Sequence, residues 1–178
     1  MASLGERMVG AMKGDAATFE EIERDTSAMG QAVTVIVIAG VAALIGNIFR
    51  SGVSGGVAAL ILSLVGFAVW ALIVTLVGTK LMPEPATKAD FAETFRTIGF
   101  TASPGVFNVL AIIPFLGILI SFVISIWQLV IMVIAVRTVL DYSNTGRAII
   151  VVVIGFIINL IISGILGLMF FGAAMIAG

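Results

Sequence analysis

The side chains best placed to do chemistry in this chain are carboxylates, guanidiniums and amides, and they fall into four groups. Glu20, Glu21, Glu23 and Asp25 crowd around Arg24, an arrangement that could dock a cytosolic partner or hold a divalent cation. Carboxylates with neither a His nor a coordinating loop beside them make a poor cation site. The same residues read as the wet face of an amphipathic helix, with Phe19 and Ile22 lying on the membrane, Thr18 as N-cap and Glu21 closing a capping box. Asn108, Gln128 and Asn159 each stand in the middle of a long apolar tract. An amide in hydrocarbon seeks a partner, and an interhelical hydrogen bond there contributes about 0.6–2 kcal/mol. Three at similar depth suggest one shared midplane cluster, either structural glue or a polar lining for a lipid headgroup or small solute. Arg96, Arg137 and Arg147 flank the tracts, where long cationic side chains snorkel to anionic lipid or bind phosphate. Arg137 and Asp141, four residues apart, could instead pair with each other. Gly155, Asn159, Ser163 and Gly167 recur every fourth residue with Gly164 adjacent. Such a stripe of small residues admits a close neighbour, within one bundle or across an oligomer or partner-subunit interface.

Composition narrows what these groups can do. The 178 residues contain neither Cys nor His, which excludes disulfides, thiolate catalysis, Cys-bound zinc and the usual neutral-pH proton shuttle. Ser and Asn alone make no activated nucleophile, so no enzyme and no cofactor are expected. A net charge of −1 gives no basic footprint for nucleic acid. With 61% hydrophobic and 11% charged residues, and a mean hydropathy of +1.26, the chain is far too apolar for a soluble domain. Its solvent is lipid.

The elements that must position the four groups follow from where charge is missing. A helix rises about 1.5 Å per residue, so some 20 apolar residues cross a hydrocarbon core of about 30 Å. Uncharged tracts then predict spans at about 31–49 and 57–79, joined by the turn-rich Arg50-Ser51-Gly52-Val53-Ser54-Gly55-Gly56. Pro83 and Pro85 break the next segment, and Thr87 reads as the N-cap of a short interfacial helix with Phe91, Phe95 and Ile98 on one face. Residues 98–136 lack charge altogether and, as one helix, would measure about 58 Å. They must fold back near Pro114, giving spans at about 98–113 and 115–136, the former either crossing or re-entrant. A fifth span follows at about 148–176. Five crossings put eight of the nine Lys and Arg on one side, with Arg50 alone opposite. By the positive-inside rule the N-terminus is then cytoplasmic and the C-terminus outside. No cleavable signal is expected, because the first apolar tract follows some thirty polar or mixed residues.

Several stretches read together carry a resemblance. They are Phe19-Glu20-Glu21-Ile22-Glu23-Arg24-Asp25 running into Ser27-Ala28-Met29-Gly30-Gln31-Ala32, then Arg96-Thr97-Ile98-Gly99-Phe100 with Pro104. Ile113-Pro114-Phe115-Leu116-Gly117, Trp127-Gln128-Leu129-Val130 and Ser143-Asn144-Thr145-Gly146-Arg147-Ala148 complete the set. Their order and spacing resemble the Yip-domain family (Ypt/Rab-interacting-protein-like membrane proteins), in its compact prokaryotic branch. The resemblance implies a small helical membrane protein without established catalysis. Eukaryotic relatives are linked to prenylated Rab-type GTPases, vesicle traffic and membrane shaping. That role is not expected of this sequence, which is read as lacking the long N-terminal region and the Asp-Leu-x-Gly-Pro-type motif. Thr26 stands where many prokaryotic members have Pro, which would let the N-terminal helix run on into the first span.

The expectation is an all-α polytopic bundle: a cytoplasmic segment, residues 1–30, with an interfacial amphipathic helix, then a five-span domain over residues 31–178. It sits in the cell (inner or plasma) membrane, a scaffold or accessory subunit whose partners are lipids and other membrane subunits or copies of itself. A transporter or scramblase of an uncharged solute or lipid is the alternative.

Overall fold

The computed structural model describes residues 2–113 and 116–177, and the side chains of 50, 51, 163 and 166–177 lie outside that description. Pro114 and Phe115, the expected break before the fourth span, fall outside it too.

Two short helices come first. Helix α1 (Leu4–Met12) starts at Ser3, whose hydroxyl accepts from the Glu6 amide while the Glu6 carboxylate accepts from the Ser3 amide. Gly14 turns the chain at a φ of +68°, which a glycine adopts without penalty. Helix α2 (Ala16–Arg24) is capped by Asp15, not Thr18, and Thr18 donates to the Asp15 carboxylate. Asp25 then takes the amide and hydroxyl of Ser27 on its carboxylate and ends α2, so the helix does not run on through Thr26. Phe19 and Ile22, expected to lie on the membrane, are fully buried among Ala28, Ala32, Phe100, Ile131 and Ala135. The protein covers that face, not lipid.

Helices α3 (Ala28–Gly46) and α4 (Ile48–Leu76) follow, α4 broken by Gly52 at a φ of +67° and ending in a π turn, Val77–Leu81. The expected open connection at 50–56 is therefore helical apart from one glycine. Asp90, not Thr87, caps α5 (Phe91–Gly99), in a reciprocal pair with Glu93. The Thr87 hydroxyl instead donates to the Leu140 carbonyl at 2.7 Å, tying the loop to the bundle.

The chain then tightens into a 3-10 segment, Phe100–Ile112. Pro104 has no amide to donate, and the Thr101 and Ser103 hydroxyls bond the carbonyls three residues back. At about 2.0 Å per residue this segment is about 26 Å long. It runs beside α3 in the same direction: Gly99 meets Ala32, Gly105 meets Ala39, and Gly46 meets Asn108 and Ala111. Helices α6 (Gly117–Val139) and α7 (Thr145–Ala177) complete the fold. Regular structure among the described residues is helical throughout. Among the described residues four stretches are long and apolar enough to cross a membrane: Ala28–Gly46, Gly52–Leu81, Gly117–Val139 and Thr145–Ile162.

Buried side chains gather at the end of the bundle where the charges are. One cluster joins Trp70, Val74, Val77, Ile98, Val136, Leu140 and Val151, and the other holds α1 and α2 against α3 and α6.

Candidate functional site

A cavity of about 410 Å³ lies between α4, α6 and α7. Its walls include Ser63, Phe67 and Trp70 of α4, Gln128 and Met132 of α6, and Phe156 and Asn159 of α7, with Thr101 behind them. Trp70 is held on three sides. Its indole N–H donates to Met132 Sδ at 3.3 Å, its ring tilts against Phe156 with centroids 4.9 Å apart, and it packs over Gly155. Gln128 donates to the Ala102 carbonyl at 3.4 Å, and the Thr101 hydroxyl to Ile98. The cavity thus offers amides and hydroxyls on an apolar wall, suited to a neutral polar group carried on an apolar body. Gln128 and Asn159 are both among its lining residues. Asn108 is not among its lining residues; its backbone carbonyl faces Gly46.

The charged end is built around Arg7, which sequence reasoning passed over. Only 1% exposed, its guanidinium donates to Gln31 Oε1 and Glu21 Oε1, both at 2.9 Å, and to the Asp25 carboxylate. Its Nε is buried with no hydrogen-bond partner among the described residues. The Ser27 hydroxyl first, and Arg7 next, hold the Asp25 carboxyl down at about 2. Arg96 is the second hub. It is 4% exposed and donates to the carbonyls of Ile22 and Glu23, satisfying the C-terminal end of α2. Arg96 is accordingly not aimed at lipid headgroups.

The remaining charges of α2 face α6. Glu20, Glu23 and Arg24 line a polar cavity of about 600 Å³ with Arg137, Thr138, Asp141, Tyr142 and Thr145. Burial, then the charges of Asp141 and Glu93, push the half-buried Glu23 carboxyl up to about 7. Arg24 and Glu20 form an exposed pair at 3.5 Å. No group of three or more acidic, His or Cys side chains that could hold a metal ion occurs among the described residues. Arg137 forms no ion pair with Asp141 among the described residues and donates to the carbonyls of Tyr142 and Ser143 and the hydroxyl of Thr145, bracing the loop. Arg147 pairs with Glu84 at 3.3 Å.

The Yip1 domain family matches this chain over residues 12–176. The chain belongs to the Yip1-domain family. No curated protein and no solved structure matches it. In this Yip1-domain protein three of the stretches that carried the resemblance meet. Arg96 of Arg96-Thr97-Ile98-Gly99-Phe100 grips the end of the acidic helix, and Phe100 packs with Phe19 and Ile22. Gln128, from the Trp127-Gln128 stretch, bonds the segment leading out of Phe100.

The small-residue stripe of α7 divides. Gly155 is occupied within the Yip1-domain bundle, where an added Cβ would lie 3.0 Å from Trp70 Cη2. Gly164 faces open space, and the side-chain surroundings of Ser163 and Gly167 lie outside the description. The signal for Arg7 was present in the sequence: Leu4, Arg7, Met8 and Ala11 share one helical face, so the charge sits among apolar residues. Trp70, Ser63 and Thr101 carried no such mark.

Proposed function

We propose that this protein is a non-enzymatic membrane scaffold or accessory subunit of a larger membrane complex. The observation that carries the reading is the Arg7 hub. By binding Glu21, Asp25 and Gln31 together it makes the N-terminal segment a fixed charged cap on the bundle, with Glu20 and Arg24 exposed on its outer face. A rigid polar platform on a membrane anchor is what a scaffold presents to a partner. Isolation in gentle detergent tests it. A stoichiometric protein partner, lost in Glu20→Ala/Arg24→Ala, is the expected result, whereas a specific lipid alone would overturn the reading.

The path we propose has five crossings, the 3-10 segment being the third, with the N-terminus in the cytoplasm of a prokaryotic cell. Its length of about 26 Å and its parallel course beside α3 support this. Engineered cysteines at 50 and 116 should then label from outside and one at 143 from the cytoplasm.

A second reading, transport of a neutral solute or lipid, is favoured by the cavity that joins Gln128 and Asn159. Flux in proteoliposomes that Gln128→Leu abolishes would support it over the scaffold.

A further inference from the structure

The apolar surface of this protein does not end at one level. On α6 the exposed large hydrophobic side chains run from Ile118 to Val130, about 18 Å along the helix, beyond which Met132, Val133 and Ile134 are only partly exposed. The α1–α2 hairpin takes over from there. The Trp127 indole N–H donates to the Met12 carbonyl at 2.8 Å, and Gly14 lies against Ile134. Lys13 and Asp15, on either side of that glycine, are exposed. The polar cavity that contains Glu20, Glu23 and Arg24 also reaches Ile134. Charge therefore descends along α6 well below its Arg137 end.

On the side of α4 and α7 the apolar surface continues. Leu72, Leu76 and Leu81 of the α4 arm and Ile149 and Ile150 of α7 are each close to half exposed or more. Internal contacts fix their level. Trp70 bonds Met132, and the Tyr142 hydroxyl donates to the Met82 carbonyl at 2.8 Å, so Leu76 stands level with about residue 138 of α6. The apolar boundary is thus about 12 Å farther toward the charged end on this side than at Val130. For helices standing along the bilayer normal the two boundaries therefore lie at different depths, while at its other end the α6 strip continues through Leu116 and Ile113. A flat bilayer would place Lys13 and Asp15 in hydrocarbon or leave Leu76 in water.

We propose that the lipid leaflet at the charged end thins against α6 and the α1–α2 hairpin, so that the protein holds a local step in the bilayer. The interaction surface is the Val130–Ile134 stretch with Met12–Asp15, and its partner is the bilayer itself. This holds whether the protein serves as scaffold or transporter, and needs only that the apolar helices cross.

The chain's two tryptophans allow a direct test. Trp70→Phe leaves Trp127 as the reporter, in dioleoyl-phosphatidylcholine vesicles carrying lipids brominated at shallow or deep acyl positions. The shallow label should quench Trp127 about twofold more than the deep one. Should Trp70→Phe fail to fold, the difference between the parent protein and Trp127→Phe gives the same reading. A second reporter, Leu76→Trp with both native tryptophans replaced by Phe, should be quenched by the deep label at least as well as Trp127 is. In an unthinned bilayer the order reverses, since Trp127 lies some 16 Å farther in along the bundle. Preferential deep quenching of Trp127, or that reversed order, would overturn the proposal.

Discussion

Gly46 of α3 meets the backbone carbonyl of Asn108, and a side chain at that glycine would overlap the oxygen. The neighbouring atom is backbone, so it cannot step aside as a flexible side chain would. Together with Gly99 on Ala32 and Gly105 on Ala39, this close approach holds the 3-10 segment along α3.

Gly46→Ala should therefore destabilise the protein by about 1–3 kcal/mol through overpacking. Gly30, in the same helix, has nothing within 4 Å of an added Cβ. Gly30→Ala should be neutral or stabilise by up to about 1 kcal/mol, since alanine is the better helix former. Thermal unfolding of both variants in detergent checks the contrast.

How much of this was legible beforehand depends on what kind of force decided each feature. Long uncharged tracts revealed the apolar helices, because span length is a direct consequence of bilayer thickness. The 3-10 winding was not legible. Pro104 and Gly105 marked an interruption, but only packing between α3 and α6 decides that the segment stays extended. The caps shifted by three residues at both Asp15 and Asp90, since every Ser, Thr or Asp near a helix start competes for the same amides. The acidic cluster misled most. Its spacing predicted an amphipathic helix, yet nothing local could say that Arg7 and Arg96 would arrive from elsewhere and turn its apolar face inward. Gln128 and Asn159 stand out in the sequence because an amide in an apolar tract is conspicuous whatever the fold.

Arg7 anchors the N-terminal hairpin, and its loss leaves Glu21, Asp25 and Gln31 facing one another. Arg7→Leu should cost about 2–3 kcal/mol, less than for a fully buried ion pair because Glu21 remains 42% exposed. Hydrogen exchange should show the loss concentrated in residues 2–25, with α6 and α7 nearly unchanged. A uniform loss would mean that the hairpin and bundle unfold as one unit.

Stability should also depend on pH in two opposite limbs. Glu23 titrates near 7 in the folded chain against an ordinary 4.5, so between those values the folded form holds a proton that the unfolded form has lost. Stability is then highest below about 4.5, falls as pH rises toward 7, and levels off above it. Glu23→Gln should flatten this limb and raise the unfolding temperature at pH 8, leaving the Arg96 contacts intact because they go to the Glu23 backbone carbonyl. Asp25 behaves in the other sense. Held near 2 against 3.8, it contributes stability above 3.8 that disappears as pH falls through 2. Melting curves from pH 2 to 8 resolve the two limbs.

Gln128 and Asn159 approach one cavity from different helices, so their contributions should not be independent. Each amide sits among Phe67, Trp70, Met132 and Phe156, where an unpaired polar group is costly and any partner is valuable. Replacing one with leucine removes a polar group and adds apolar bulk to a space of about 410 Å³. Replacing the second then acts on a cavity already drier and smaller. Gln128→Leu and Asn159→Leu should accordingly show a coupling of about 0.5–1.5 kcal/mol in a double-mutant cycle of detergent unfolding. Asn108→Leu supplies the contrast, since Asn108 is outside that lining, and its effect should add to that of Gln128→Leu within about 0.5 kcal/mol. Coupling between Gln128 and Asn108 instead would place the polar contact along the 3-10 segment and away from α7.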